Sequence, residues 1–289
     1  MKKIVLCLLS ILFLCSCVKE PFKPDTDQIN VFDDLSEGKS LDLHAEEYMV
    51  IDMSDMDILY AHDNDKRIYP ASLTKLVTMD TVLNLTEDLS EMSYYTTDQY
   101  LYLVEEDASM AYIQRDTFYS LHDLLYALIL PSGADAAFAL ENYYSDRGVD
   151  LIEEMNLQAY RLGCKDTNFT NSTGLHDDSH YTSLDDLFLV VMDLLKFDVA
   201  RQILESSHYY LEDGTLVGTT IGLVHRDLEF RVLGGKTGYT PESGQSIIAL
   251  CKDRGKSYLV MAANARGSYS LGQYWHYDDV EKIFEEMNR

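Results

Sequence analysis

The chain has 289 residues, of which 46% are hydrophobic, and this is enough for one large hydrophobic core. Its 23 basic and 49 acidic residues give a formal net charge of −26. Such an acidic surface argues against a nucleic-acid-binding protein, because nucleic acids are bound through basic patches. We expect most of this charge to be a solvated surface, and binding of cations or cationic polymers is the alternative.

The N-terminus has the features of an export signal. Two lysines precede an apolar run over residues 4–15. A run of this length is typical of a signal-peptide core, whereas a transmembrane helix needs about 20 apolar residues. The run ends in the string Leu-Cys-Ser-Cys, which resembles a bacterial lipobox. We therefore predict a lipoprotein-type signal peptide over residues 1–17, with Cys17 lipidated and holding an exported protein to the membrane at the cell envelope. An ordinary cleaved signal is the alternative.

Residues 18–40 contain prolines and acidic residues but little apolar periodicity, so they are predicted to form a flexible acidic tether. The folded domain is then expected over residues 41–289. Two cysteines remain in it, Cys164 and Cys251. Both are interpreted as small hydrophobic side chains of the core, and their spacing does not decide whether they pair.

The domain begins with two predicted strands, over residues 48–53 and 58–61. A helix-compatible stretch then starts at Ser72. Two later segments have the i, i+3, i+4, i+7 spacing of amphipathic helices, one from Leu121 to Leu128 and one from Leu184 to Leu195. The remaining predicted elements are strands over 230–233, 246–251 and 258–263 and a closing helix over 278–287. Strands at both ends with helices between them predict an α+β domain.

The string Ser72-Leu73-Thr74-Lys75 is the first candidate for chemistry. Residues three apart share one face of a helix, so Lys75 can reach the Ser72 hydroxyl and activate it as a nucleophile if the amine is neutral. A helix N-terminus and a second nearby cation both favour the neutral amine. The same spacing occurs at Ser16 and Ser36, but only Ser72 opens an apolar helix, with Pro70 at its entry.

Two further strings follow in the chain. Residues 131–135 read Pro-Ser-Gly-Ala-Asp after the leucine-rich helix, and residues 236–238 read Lys-Thr-Gly. Taken singly, the first is also compatible with a plain turn between helices and the second with a solvated lysine at the end of a strand. Together with Ser72 and Lys75 they follow the order S-x-x-K, S-x-N, K-T-G, which is typical of penicillin-binding proteins and class A β-lactamases.

Longer segments strengthen this likeness. Residues 70–75 resemble the nucleophile segment of D-alanyl-D-alanine carboxypeptidases, the low-mass penicillin-binding proteins. Residues 124–137 are similar to the second motif of that family, residues 155–183 to the segment after it, and residues 235–244 to the third motif. The resemblance therefore runs from about residue 48 to about residue 263.

This resemblance implies a penicillin-binding/β-lactamase-like transpeptidase fold, with an antiparallel sheet flanked by helices and a helical subdomain. It also implies a serine-type D-Ala-D-Ala carboxypeptidase that is sensitive to β-lactams. Such an enzyme trims the terminal D-alanine from peptidoglycan stem peptides and uses no cofactor. A β-lactamase, a transpeptidase and a weakened protein that binds wall peptides or β-lactams remain alternatives.

The resemblance also implies roles for single residues. Ser72 attacks the carbonyl between two D-alanines, Lys75 takes its proton, and Ser132 relays a proton to the leaving D-alanine. The backbone N–H groups of Ser72 and Tyr239 form the oxyanion hole. The residues implied in substrate binding are Lys236, Thr237, Gly238 and Tyr239.

The chain departs from the family pattern at Ala134, where the second motif normally has Asn. That Asn helps to orient the catalytic lysine and binds the substrate amide, and alanine can do neither. Arg266 is a candidate for binding the substrate carboxylate, with an ordinary surface arginine as the alternative. No HExxH string occurs, and His176 and His180 lie in a loop, so we interpret them as structural and predict no metal.

Overall fold

The computed structural model describes residues 41–221 and 230–288. Within these ranges there are nine strands, which are β1 (Glu47–Asp52), β2 (Asp57–His62), β3 (Met92–Ser93), β4 (Tyr119–Ser120), β5 (His208–Tyr210), β6 (Leu216–Gly218), β7 (Phe230–Thr240), β8 (Gly244–Asp253) and β9 (Lys256–Ala265). Five of them form one antiparallel sheet in the order β2-β1-β9-β8-β7. The other four form two small hairpin sheets, β3-β4 and β5-β6.

Eight helices lie in the same ranges, namely α1 (Thr74–Leu85), α2 (Thr97–Glu105), α3 (Leu121–Ile129), α4 (Ala134–Ser145), α5 (Leu151–Leu162), α6 (Leu184–Leu194), α7 (Asp198–Glu205) and α8 (Trp275–Met287). Side chains that accept backbone N–H hydrogen bonds cap four of them, Thr96 at α2, Ser120 at α3, Asp150 at α5 and Ser183 at α6. In the described ranges no helix combines the length and the apolar character needed to cross a bilayer.

The large sheet separates two hydrophobic layers. Met49 and Ile51 of β1 belong to the core shared with helices α1 to α7, whereas Tyr48 and Val50 belong to a second core beneath α8. This alternation follows from the two-residue period of a strand. In the second core Phe284 of α8 is fully buried, and burying such a side chain stabilises the fold by about 1.5–3 kcal/mol.

Helix α1 lies in the centre of the helical layer. Ten of its twelve residues are buried, including polar ones, because α3, α5 and α6 all pack against it. A helix that is enclosed on all sides cannot have one apolar stripe, which explains why its sequence shows little amphipathic pattern. Its first turn therefore places Lys75 inside the protein.

Strand β7 is one of the two edge strands of the large sheet and lies beside a 3₁₀ turn at Ala71–Leu73. Strands β8 and β9 are joined by Arg254 and Gly255, with φ of 47° and 88°. Two consecutive positive φ angles are the mark of a type I′ turn, whose twist matches a two-residue hairpin. The active-site candidates thus meet at the boundary between the sheet edge and the helical layer.

The predicted α+β architecture, with an antiparallel sheet flanked by helices, is confirmed. Several element boundaries differ from prediction, and two of them affect the site: Ser72 lies in the 3₁₀ turn before α1, and the strand predicted over residues 230–233 continues to Thr240. Cys164 and Cys251 are free thiols, with Cys251 buried in β8. The predicted signal peptide and tether, including Cys17, lie outside the described residues.

Candidate active site

The turn that carries Ser72 has a constrained backbone. Ala71 has φ of 47°, in the left-handed region that non-glycine residues rarely adopt. Gly174 packs directly against this turn, since a Cβ at that position would lie 1.9 Å from the Ala71 carbonyl oxygen. Only glycine, which has no Cβ, fits at this position. The close approach fixes the turn against the segment 171–175.

Lys75 lies one turn after Ser72 and is only 2% exposed. Its Nζ donates to Ser72 Oγ at 3.0 Å and to the main-chain carbonyl of Thr173 at 2.5 Å. Burial lowers the pKa of Lys75 to about 7, and the charge of Asp135 opposes this shift. A large fraction of the amine is therefore neutral near neutral pH, which a general base for Ser72 requires.

A second lysine–serine pair lies beside the first. Lys236 of β7 is fully buried, and its Nζ donates to Ser132 Oγ at 2.9 Å and to the carbonyl of Thr237 at 2.7 Å. Burial lowers the pKa of Lys236 well below its usual range, and the positive charge of Lys75 lowers it further. The positive charge of Lys75 thus favours the neutral form of Lys236.

The third motif lies inside β7 and not at its end. Gly238 brings this strand against the nucleophile turn, because a Cβ there would lie 2.9 Å from the carbonyl oxygen of Pro70. The hydroxyls of Thr237 and Thr220 share a hydrogen bond of 2.8 Å. Tyr239 is 40% exposed and faces the cleft described next.

An open cleft of about 340 Å³ lies above Ser72 and Lys75. On one side it is lined by Ala134, Thr173 and Tyr239, and the segment 106–109 forms another part of its wall. Ser132 and Lys236 are buried beneath this surface rather than lining it. The structure therefore brings all three sequence motifs to one cleft and gives Ser72 access to a ligand.

Ala134 is buried at the start of α4 and contributes only a methyl group to the cleft. The hydrogen bonds of Lys75 in the described structure therefore go to Ser72 and to Thr173. The contact with Thr173 was not predicted, and no side-chain motif could have revealed it, because it uses a main-chain carbonyl.

Asp135 also received no role from the sequence. It is fully buried, and its carboxylate accepts hydrogen bonds from the backbone N–H groups of Ala111 at 2.9 Å and Ile113 at 3.1 Å. It thereby holds the loop that leads into the cleft wall, and its charge acts on Lys75. Burial raises the pKa of Asp135, and the hydrogen bonds from these backbone N–H groups oppose that shift.

His180 has a structural role, as predicted. Its Nδ1 accepts from the backbone N–H of Thr170 at 3.0 Å, so the ring proton is on Nε2, which donates to Thr74 Oγ1 at 2.7 Å. Burial lowers the pKa of His180 to about 4, which keeps it neutral. Arg266 lies outside the cleft lining, is half-exposed, and contacts Glu46 and the carbonyl of Glu242.

This fold, with a turn serine bonded to a buried lysine and a second lysine on the sheet edge, defines the class of DD-peptidases and penicillin-binding proteins. The match to a known family is specific. Residues 34–266 match the peptidase family S11, described as D-alanyl-D-alanine carboxypeptidase, and the chain belongs to this family.

Individual relatives agree with this assignment. The D-alanyl-D-alanine carboxypeptidase DacF of Bacillus subtilis is 28% identical over 214 residues, covering 72% of this chain and 54% of the relative. The carboxypeptidase DacA of Haemophilus influenzae is 29% identical over 213 residues, covering 71% and 53%. The chain thus spans about half the length of these relatives.

Solved structures show the same fold. The Streptomyces K15 DD-transpeptidase superposes with a TM-score of 0.74 at 24% identity, covering 86% of this chain and 98% of that one. Penicillin-binding protein D2 from Listeria monocytogenes, in its ampicillin-bound form, gives a TM-score of 0.71 at 26% identity with the same coverage.

Proposed function

We propose that this protein is a serine-type D-Ala-D-Ala carboxypeptidase, which removes the terminal D-alanine from peptidoglycan stem peptides and is acylated by β-lactams. The observation that carries the proposal is the 3.0 Å hydrogen bond between Lys75 Nζ and Ser72 Oγ inside an open cleft. Membership of the carboxypeptidase family and the names of the relatives support it. Peptidoglycan lies outside the cytoplasm, so the proposed site of action is extracytoplasmic.

In the proposed first step, neutral Lys75 takes the proton of Ser72 while Oγ attacks the carbonyl carbon between the two D-alanines. A tetrahedral intermediate forms, and its oxyanion is stabilised by the backbone N–H groups of Ser72 and Tyr239. One such donor is typically worth about 2.7–4 kcal/mol. The C–N bond then breaks and leaves an acyl group on Ser72, which water later releases by the same chemistry.

The second lysine–serine pair is suited to the leaving group. Ser132 is proposed to pass a proton to the departing amine of D-alanine, since its hydroxyl already contacts Lys236. Lys236 lies beneath the place where the terminal carboxylate of the substrate is proposed to bind, and the negative charge of that carboxylate favours the protonated amine. Thr237 contributes a hydroxyl to that carboxylate, and Gly238 allows the strand edge to lie close to the nucleophile.

Labelled penicillin and a D-Ala-D-Ala peptide test this function together. We expect the native protein to be labelled and to release D-alanine, and we expect Ser72→Ala to lose both properties, by about a thousandfold or more for turnover. Ser90→Ala is the control, because Ser90 is exposed and contacts only Asp88. Labelling that persists in Ser72→Ala would exclude Ser72 as the nucleophile.

Ala134 favours one second candidate, a penicillin-binding protein with weak catalysis. Losing a hydrogen bond to a charged partner costs about 1.5–3 kcal/mol, or roughly a ten- to hundredfold loss of rate. Labelling by penicillin without release of D-alanine would point to this candidate. Rapid hydrolysis of a chromogenic cephalosporin would instead identify a β-lactamase.

We further propose that the protein is a lipoprotein, anchored in the membrane through an acylated Cys17. The support is the sequence of residues 1–17, in which a short apolar run ends in a lipobox-like string. The acidic stretch over residues 18–40 then serves as the tether to the domain.

A further inference from the structure

Lys75 obtains from the main chain a contact that α4 does not supply. Helix α4 begins at Ala134, whose methyl group cannot accept a hydrogen bond. Lys75 Nζ donates instead to the Thr173 carbonyl at 2.5 Å. A main-chain oxygen has no side-chain torsions of its own. Its position beneath the amine is therefore set by whatever holds the segment 171–175.

Asn171 closes this segment locally. Its Oδ1 accepts from the backbone N–H of Thr173 at 3.1 Å and of Gly174 at 2.7 Å. These bonds shape the turn, but they lie within the segment and do not attach it to the helices. Attachment comes from the neighbouring residue, Ser172, which is fully buried.

Ser172 is held at two points on two different helices. Its carbonyl accepts from Thr78 Oγ1 of α1 at 2.8 Å. Its hydroxyl donates to Glu141 Oε1 of α4 in a short hydrogen bond. Thr173 comes directly after Ser172, so these two contacts fix the carbonyl that accepts from Lys75.

Glu141 follows Ala134 by seven residues, which is two helical turns and therefore the same face of α4. Burial raises the pKa of Glu141, and the Ser172 hydrogen bonds oppose that shift. The negative charge of Asp150 raises this pKa further. Burying a carboxylate even partly costs folding free energy, and the hydrogen bond from Ser172 offsets part of this cost for Glu141.

We propose that Glu141 is a positioning residue for Lys75. It acts through Ser172 to hold the Thr173 carbonyl, and this contact takes the place of the side-chain partner that Ala134 lacks. The inference rests on the proposed function of Ser72 and Lys75. Glu141 does not line the cleft, so it affects the reaction step and not substrate binding.

The test compares Glu141→Ala with Glu141→Gln, whose amide oxygen still accepts from Ser172. We expect Glu141→Ala to slow acylation by a fluorescent penicillin about tenfold. With a peptide substrate the same variant should lower kcat and leave KM unchanged. Glu141→Gln should stay near the native rate in both assays. Glu153→Ala, on the exposed side of α5, is the matched control. Ser172→Ala provides a second, smaller change that should reproduce the loss if Glu141→Ala folds poorly.

A direct titration of Lys75 separates this inference from the proposed function. The pH titration of Lys75 can be followed in protein with ¹³C-labelled lysine. Loss of a well-placed carbonyl acceptor destabilises the ammonium form, so Glu141→Ala should lower the pH midpoint of the Lys75 titration. Glu141→Gln should leave that midpoint unchanged. This readout does not need peptidase activity. Native acylation and an unchanged Lys75 midpoint in Glu141→Ala would overturn the inference, whereas a native protein that penicillin does not label would overturn the function.

Discussion

Lys75 shows how burial of a single residue favours the neutral amine that its proposed role as a base requires. An exposed lysine has a pKa near 10.4 and is almost fully protonated at pH 7. In this fold the elements packed around α1 enclose the amine, so the charged form loses hydration that two hydrogen bonds do not restore. Reactivity is thus obtained at the expense of fold stability, as is common for active-site residues.

The substitution Lys75→Met measures how much the buried lysine lowers the free energy of unfolding. Between pH 7 and 10 the unfolded chain holds a proton that native Lys75 has lost, so native stability should rise with pH across this window. We expect Lys75→Met, which lacks the titrating group, to be more stable than the native protein below pH 7 and to lose about 4 kcal/mol of this advantage toward pH 10. Urea denaturation at several pH values measures the effect.

Lys252→Met is the control for that series, because Lys252 is exposed on β8. It should show no pH-dependent gain. A gain for Lys75→Met that stays constant from pH 6 to pH 10 would show that the lysine is not titrating near neutrality in the native state.

The sequence was informative about residues whose side chains have the proposed catalytic roles. Ser72, Lys75, Ser132 and Lys236 belong to motifs with fixed spacing, and the structure brings them together. Thr173 left no such signal, since any residue has a carbonyl and only the folded chain shows where it points.

At the scale of elements, a pair of carboxyl groups joins three helices away from the cleft. Asp80 of α1 and Asp193 of α6 both accept from Gln158 Nε2 of α5, at 3.0 and 3.2 Å. Asn84 donates to both carboxyl groups, and Lys196 contacts Asp193 at 2.6 Å. Burial, followed by the charge of Asp193, raises the pKa of Asp80 to about 8.

This pair predicts that stability falls as the pH rises. The native protein keeps a proton on Asp80 that the unfolded chain loses near pH 4, so stability present at pH 4 should decline toward pH 8. Asp80→Asn keeps a neutral side chain at every pH. We expect it to be more stable than the native protein by about 1–2 kcal/mol at pH 8 and similar at pH 4, by urea denaturation.

Asp55→Asn serves as the comparison, because Asp55 is exposed in the turn between β1 and β2. If the stability of the native protein and that of Asp80→Asn had the same pH dependence, Asp80 would not hold a proton in the native state.

Elements were predictable where the periodicity was strong. The leucine spacing located α3 and α6, whereas α1 has no single apolar face and β7 contains three glycines that interrupt its pattern. The 3₁₀ turn at Ala71–Leu73 could not be predicted, because packing of Gly174 against it, and not local propensity, holds Ala71 at positive φ.

At the scale of the molecule, the net charge of −26 gives no attraction to anionic lipid headgroups. Attachment to the membrane should therefore depend on the proposed lipid. We expect Cys17→Ala to lose label in cells fed a labelled fatty acid, and Cys15→Ala to keep it. Equal labelling of native protein and Cys17→Ala would refute lipidation at this position.

The general architecture followed from the order of strands and helices, but the location of the site did not. Ser72 belongs to the helical layer and Lys236 to the sheet edge, and more than half of the chain separates them in sequence. Only the antiparallel return of β7 and β8 along the sheet places them at one boundary. Distances of this kind depend on topology, which local patterns do not encode.

The contact between Gly174 and Ala71 also bears on how this protein can evolve. A position where any Cβ would overlap a carbonyl oxygen at 1.9 Å is closed to every other amino acid. Variation in ligand preference or drug susceptibility must therefore accumulate elsewhere around the cleft. The segment 106–109 is a part of the wall that can accept such variation, because the side chains of Glu106, Asp107 and Ser109 are exposed.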